Sequence, residues 1–167
     1  MPTLPNVMLA GAALTTALVA GLFYGYSCSV NPGLHRLSDT MYLAAMQAIN
    51  RAILNPVFFV SFLGTLILLP LSAWVHYSQP PSPRFWLLLW AAITYLIGVL
   101  GVTIFGNVPL NEALDSLTLQ TASVEAVAAQ RVAFETLWNR FHTIRTLASV
   151  LALLFVLVAC LSPETDR

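Results

Sequence analysis

The chain has 167 residues, 58% of them hydrophobic and 8% charged, with seven arginines against seven acids and no lysine. A soluble domain carries about 25% charged residues, so this composition excludes a water-soluble globular protein and points to a single transmembrane domain over residues 1–167. Balanced charge leaves no basic patch to neutralise phosphates, which excludes nucleic acid as a partner.

Four apolar runs approach the roughly 20 residues needed to cross hydrocarbon: 7–26, 53–75, 85–105 and 141–161. The first lacks a basic leading segment, is too long for the apolar part of a signal peptide, and is followed by no small-x-small cleavage site, so it is expected to be a retained helix. Ala13, Ala17, Gly21 and Gly25 recur in it at four-residue spacing, a stripe that predicts close helix packing. Its far end brings Tyr24, Tyr26 and Ser27 to the membrane boundary. The segment 39–55 reads as a helix that starts in water and runs on into the second span, with Gln47, Arg51 and Asn55 on one face. Pro70 is expected to kink that span. The next connection, 76–84, is short and stiffened by Pro80, Pro81 and Pro83.

At the exit of the third span, Asn107 and Pro109 are expected to end the helix, with Pro109 in the first turn of a short new one. Ser123 is a predicted N-cap for a helix that feeds the fourth span. In that last helix Arg131, Glu135, Trp138, His142, Arg145 and Ser149 follow at spacings of four, three, four, three and four, which places all six on one face. Arg131 and Glu135 alone read as a solvated i, i+4 pair. His142 and Arg145 lie within the span, and ionisable groups at that depth tend to face a bundle interior or wet cavity.

The predicted fold class is therefore all-α: an integral membrane four-helix bundle, with helices 2 and 4 extended beyond the membrane on one face. A helical cap from 36–52 and 107–140 covers that face, and both termini lie on the other. The cap holds Arg36, Arg51, Arg131 and Arg140 against Arg84 and Arg167 opposite, so the positive-inside rule puts it in the cytoplasm. Cys28 and Cys160 end the first and fourth spans on opposite faces, beyond disulfide reach.

All four spans deliver polar or aromatic groups to one level below the cap. The candidate catalytic residues are His142, Arg145 and Asn111. The candidate ligand-binding residues are Arg51, Asn55, Thr103, Asn107, Glu112, Trp138 and Tyr24. There is no His-x-x-x-His, no Glu-x-x-His and no phosphate-binding glycine loop, so no cofactor is predicted. The residual metal alternative is His142 with Glu112 or Glu135. The expected partners are the lipid bilayer and a lipophilic small molecule, and a homo-oligomer stays open.

Thr103, then Asn107-Val-Pro109-Leu-Asn111 with Leu114, then Trp138-Asn139 with His142 and Arg145, resembles the pattern of the anthrone oxygenase family, in its bacterial type. The length and four-span layout resemble that family over essentially the whole chain. The resemblance implies a multi-pass protein of the inner or plasma membrane and a cofactor-independent monooxygenase, an oxidoreductase acting on an anthrone- or quinol-type compound. Such a reaction removes a proton from an acidic methylene, lets the enolate meet dioxygen, and expels water from the resulting peroxide to give a quinone. It needs a base, a group that stabilises the enolate oxygen, and a dry apolar cavity. The resemblance implies His142 as base, Arg145, Arg51 or Asn111 at the oxyanion, and Trp138, Phe105 and Tyr24 stacked on the rings. A non-catalytic ligand-binding or accessory subunit is the alternative. A small transporter fits less well, because there is no internal repeat and no helix broken at mid-membrane depth.

Overall fold

The computed structural model describes residues 3–162, almost all of them helical. Four helices are long and apolar enough to cross a membrane: α1 (Leu4–His35), α3 (Pro56–Val75), α4 (Pro83–Asp115) and α5 (Val124–Leu161). A shorter amphipathic helix, α2 (Asp39–Ala52), lies between the first two. A capping side chain sets three of the starts, two of them with a proline at the first helical position. Asn55 caps Phe58 N at 3.0 Å ahead of Pro56, Ser82 caps Phe85 N at 3.2 Å ahead of Pro83, and Ser123 caps Ala126 N at 3.2 Å.

The long helices form a ring in which α1 packs on α3, α3 on α4, α4 on α5 and α5 on α1. Across the diagonals the membrane-spanning parts do not touch, among the described residues. This is an integral membrane four-helix bundle, with a belt of exposed Leu, Ile and Val, such as Leu18, Ile67, Ile97 and Leu154, turned toward lipid. Its interior holds Leu69, Leu88, Ala91, Val99 and Val156, and Tyr95 donates its hydroxyl to the Phe62 carbonyl at 2.9 Å. At the far end Arg84 is buried and its Nε donates to the Ala159 carbonyl at 3.1 Å, while a guanidinium nitrogen reaches the Ser162 carbonyl. Arg84 thereby holds the C-terminal carbonyls of α5, where a cation also suits the helix dipole.

Three expectations about the rods need correction. The second rod does not run unbroken from the cap into the membrane: the chain stops being helical at 53–55 and restarts at Pro56. The residue before a proline is pushed out of the helical region, and Asn55 is extended at φ −128° and ψ 159°. The third rod, by contrast, does not end at Asn107. It continues to Asp115 through a widened, π-type turn at Thr103–Asn107, in which Val108 N bonds to Thr103 O. A second such turn at Tyr26–Val30, with Asn31 N on Tyr26 O, carries α1 past its expected end at Tyr26 to His35. A proline follows both of these (Pro109 and Pro32), whereas a third widened stretch in α4, Tyr95–Gly101, has none close after it. A proline ring would collide with a carbonyl four residues back, and a widened turn lets the rod pass. At 32, 33 and 38 residues, α1, α4 and α5 all outrun a bilayer core of about 30 Å and project on the capped side.

A further correction concerns the small-residue stripe of α1. Ala17 and Gly21 are exposed, and a Cβ at Gly21 or Gly25 would meet nothing. The face of α1 turned inward carries Ala12, Thr16, Val19 and Phe23. The close approach is between α4 and α5: a Cβ on Gly98 would lie 2.5 Å from Ala148 Cβ, and one on Gly106 would lie 2.7 Å from the Phe141 ring. Gly98→Ala is expected to cost about 1–3 kcal/mol, the usual range for overpacking. In thermal unfolding Ala148→Gly should recover most of that loss, whereas Gly21→Ala should be neutral or mildly stabilising.

The cap is a second core, with Tyr42, Leu43, Met46, Leu114, Val127, Phe134 and Trp138 at its centre. Arg131 pins it. This guanidinium is buried, donating to Leu37 O at 2.6 Å, His35 O at 2.8 Å, Asp39 Oδ1 at 2.9 Å and Glu135 Oε2 at 3.0 Å, and it lies 4.7 Å from the Tyr42 ring centre. Burial pushes the Tyr42 phenol up, Glu135 adds to the effect, and the ring stays neutral beneath the cation. The solvated-pair reading of Arg131 and Glu135 is thus replaced by a buried junction between α1, α2 and α5. The two cysteines are free, at opposite ends of the bundle.

Candidate functional site

Between the bundle core and the cap core lies a partly enclosed cavity of about 460 Å³ with largely apolar walls. Every helix contributes to it. Phe23 and Tyr26 come from α1, Asn50 and Arg51 from α2, and Phe58 from the first turn of α3. Thr103, Asn107, Asn111 and Glu112 come from α4, and Trp138 and Arg145 from α5. The widened turn at Thr103–Asn107 forms part of this wall, and the break at 53–55 forms its rim.

The predicted stripe on α5 turns inward: Arg131, Trp138, His142 and Ser149 are buried. Trp138 is fixed from two sides. Its indole N–H donates to Asn111 Oδ1 at 2.9 Å, and its carbonyl accepts from Asn107 Nδ2 at 3.2 Å. The indole stacks on the His142 ring, centroids 5.0 Å apart and planes 11° from parallel. The Arg145 guanidinium lies 4.4 Å from the Phe23 ring centre and 5.2 Å from that of Trp138, an aromatic clamp that suits a planar cation. It faces the cavity and forms no ion pair with an acid among the described residues.

Three polar atoms in the cavity wall have no hydrogen-bond partner: Asn50 Nδ2, Thr103 Oγ1 and Asn107 Oδ1. Buried polar groups are nearly always satisfied, and these three atoms have almost no accessible surface, so a ligand or water in the cavity reaches them only once the wall adjusts.

His142 lies one layer behind this wall. It is 1% exposed. Its Nδ1 faces Arg145 Nε at 3.3 Å and Nη2 at 3.2 Å, and its Nε2 faces Ser27 Oγ at 3.0 Å. A guanidinium only donates, so Nδ1 accepts and the imidazole proton sits on Nε2.

Of the candidate residues, Arg145, Asn111, Arg51, Thr103, Asn107, Glu112 and Trp138 meet at the cavity. Arg51 sits at the mouth, exposed and paired with Asp115 at 2.6 Å. Besides His142, which lies behind the wall, two do not belong to it. Tyr24 is 63% exposed on the outer side of α1, because a residue two positions along a helix points away; Tyr26 takes the place assigned to it. Asn55 is spent on capping α3. Phe105, expected to stack on a ligand, is 84% exposed beside an apolar groove facing the lipid. Glu135 is held by His35 at 2.7 Å and by Arg131, Glu112 is exposed, and no three His, Cys, Asp or Glu side chains converge among the described residues.

Sequence reasoning missed Asn50, Phe23 and Tyr26 as wall residues. Asn50 falls outside the Gln47–Arg51–Asn55 face, and Gln47 on that face instead donates to the Leu114 and Leu117 carbonyls. Phe23 and Tyr26 stand three apart on one face of α1, a face that the small-residue stripe does not mark.

The sequence profile of the anthrone oxygenase family matches residues 56–155. No curated protein and no solved structure matches the chain. The matched stretch contains both motifs that build the cavity floor, from Thr103 to Leu114 and from Trp138 to Arg145, and covers most of the chain: the protein belongs to the anthrone oxygenase family.

Proposed function

We propose that the protein is a membrane-embedded oxygenase-like enzyme that uses dioxygen on a lipophilic aromatic compound of the anthrone or quinol type. The observation that carries this reading is Arg145: a cation at membrane depth, facing an apolar cavity, with no acid beside it. Holding such a charge is costly without a counter-charge. An enolate or phenolate oxygen supplies one, and it is the charge that develops when an anthrone methylene loses its proton. Trp138, Phe23 and Phe58 offer faces to flat rings, and the orphaned Thr103, Asn107 and Asn50 atoms offer hydrogen bonds to peripheral hydroxyl or keto groups.

In this scheme the substrate oxygen draws the Arg145 guanidinium away from His142. That frees the Nδ1 lone pair, which then accepts the methylene proton. The carbanion reduces dioxygen and bonds to it, giving a peroxide at that carbon. Loss of the second proton there, with cleavage of the O–O bond, releases water and leaves the carbonyl of the quinone. The membrane concentrates both the lipophilic substrate and oxygen. Exclusion of bulk water strengthens the guanidinium–enolate attraction.

One observation favours a second reading, a binding or accessory protein without turnover: His142 is shielded from the cavity by Trp138 and Arg145. His142→Ala separates the two. With 1,8-dihydroxyanthrone as probe, the enzyme reading expects kcat to fall about 10²-fold or more, the usual worth of a general base. The quinone product should still bind within a few-fold of wild type. No turnover above empty nanodiscs in the wild type supports the binding reading, whereas wild-type turnover left unchanged by His142→Ala removes His142 as the base.

A further inference from the structure

Ser27 connects His142 to a second cleft, formed between α1 and α5. Its hydroxyl lies 3.0 Å from His142 Nε2 and 3.4 Å from Thr146 Oγ1. The Ser27 residue itself is exposed. It lines a cleft of about 400 Å³ whose other walls include Asn31, His35, Glu135 and Asn139. Charged and amide side chains there face water rather than lipid. His35 and Glu135 are joined at 2.7 Å, and Asn31 donates to Asn139 at 3.0 Å, so the cleft wall is itself a hydrogen-bonded polar surface.

His142 therefore stands between two compartments. Nδ1 points through Arg145 to the apolar cavity, and Nε2 points through Ser27 to the polar cleft. The Nδ1 side offers no exit for a proton, because the guanidinium there donates and cannot accept. Thr146 gives no exit either: its hydroxyl donates to the His142 carbonyl at 2.7 Å and lies within the bundle.

The geometry points to a proton route from the His142 imidazole through the Ser27 hydroxyl to water in the outer cleft. As Nδ1 takes up a proton, the Nε2 proton passes to Ser27 Oγ, and the hydroxyl proton of Ser27 leaves to water. The imidazole stays neutral, with its proton now on Nδ1, and one proton has moved out. The return path runs in reverse. The use of such a route rests on the reading of His142 as the base. An imidazolium beside a fresh carbanion returns its proton to carbon, whereas the neutral imidazole left once a proton has passed to the outer cleft is a far weaker acid and leaves the carbanion to dioxygen. Ser27 is thus a positioning and relay residue, not one that touches the substrate.

The experiment compares Ser27→Val with Ser27→Thr in the full chain in nanodiscs, selectively ¹⁵N-labelled at histidine, without substrate. The two replacements have nearly the same shape and differ by the hydroxyl. NMR reads the His142 tautomer and the rate at which its Nε2 proton exchanges with solvent deuterium. The route predicts an Nε2–H tautomer in the wild type, with exchange near the wild-type rate in the threonine variant. In the valine variant exchange should be at least about tenfold slower, the cost of deleting one ordinary hydrogen-bonded step. Equal exchange in the two variants would overturn it, whatever the catalytic behaviour. If the exchange difference is found but 1,8-dihydroxyanthrone is not turned over, the route stands and the oxygenase reading falls.

Discussion

Replacing Arg145 by methionine is expected to lower kcat/KM for 1,8-dihydroxyanthrone by about 10²–10³-fold, the loss seen when one preorganised oxyanion donor is removed. The argument begins with geometry. The guanidinium is clamped between Phe23 and Trp138, faces the cavity, and has the His142 Nδ1 lone pair as its polar partner. Methionine keeps the length and the packing against both rings but removes every donor. Affinity for a neutral planar aromatic should change little, while a phenolate-type ligand should bind far more weakly. Stability should not fall, since an uncompensated charge is removed from a site where holding it is costly. Oxygen uptake, ligand titration by Trp138 fluorescence and a melting curve read the three effects together. A catalytic loss accompanied by equal loss of both ligand types would instead indicate collapse of the cavity.

The largest effect on stability is expected at Arg131. Arg131→Ala removes a guanidinium that ties the end of α1, the start of α2 and the body of α5, and leaves the Leu37 and His35 carbonyls and Glu135 with lost partners. Breaking a buried charge pair on one side costs about 3–5 kcal/mol. Glu135 is little exposed and carries most of that penalty, while Asp39 is nearly half exposed and regains water. Denaturant or thermal unfolding in nanodiscs should show the loss. Arg51→Ala, which breaks the exposed pair with Asp115 at the mouth, should cost under about 1 kcal/mol. Equal losses at the two positions would contradict the assignment of Arg131 as the pin of the cap.

Much of this architecture is legible in the chain, because hydrocarbon imposes one simple requirement: about 20 apolar residues in a helix. The polar stripe of α5 was equally readable, since its spacing fixes a face and the cost of burial decides where that face points. What the sequence conceals is where helices stop. Asn107-Val108-Pro109 reads as a helix end, and Asn55-Pro56 reads as the interior of a continuous rod. One continues through a widened turn and the other breaks, and the difference lies in what packs around them. Near Pro109, Gly106 lets Phe141 approach, and Asn107 anchors to the Trp138 carbonyl. At Pro56, Asn55 caps the new helix with its own side chain. The continued third rod is what brings Thr103, Asn107 and Asn111 onto one cavity wall. The exchange of Tyr24 for Tyr26 has a simpler origin: Tyr26 stands three residues after the buried Phe23 and shares its face, whereas Tyr24 points away from it. The small-residue stripe of α1 misled for another reason: in lipid a small residue costs nothing on either face, so spacing alone does not identify the packed side.

The most direct test places the purified protein in nanodiscs with 1,8-dihydroxyanthrone under ¹⁸O₂ and follows oxygen uptake together with the mass of the product. The account predicts quinone carrying one ¹⁸O, formed faster than in empty nanodiscs and faster than with Arg145→Met. A probe that binds in the cavity yet oxidises no faster than in empty nanodiscs would contradict it.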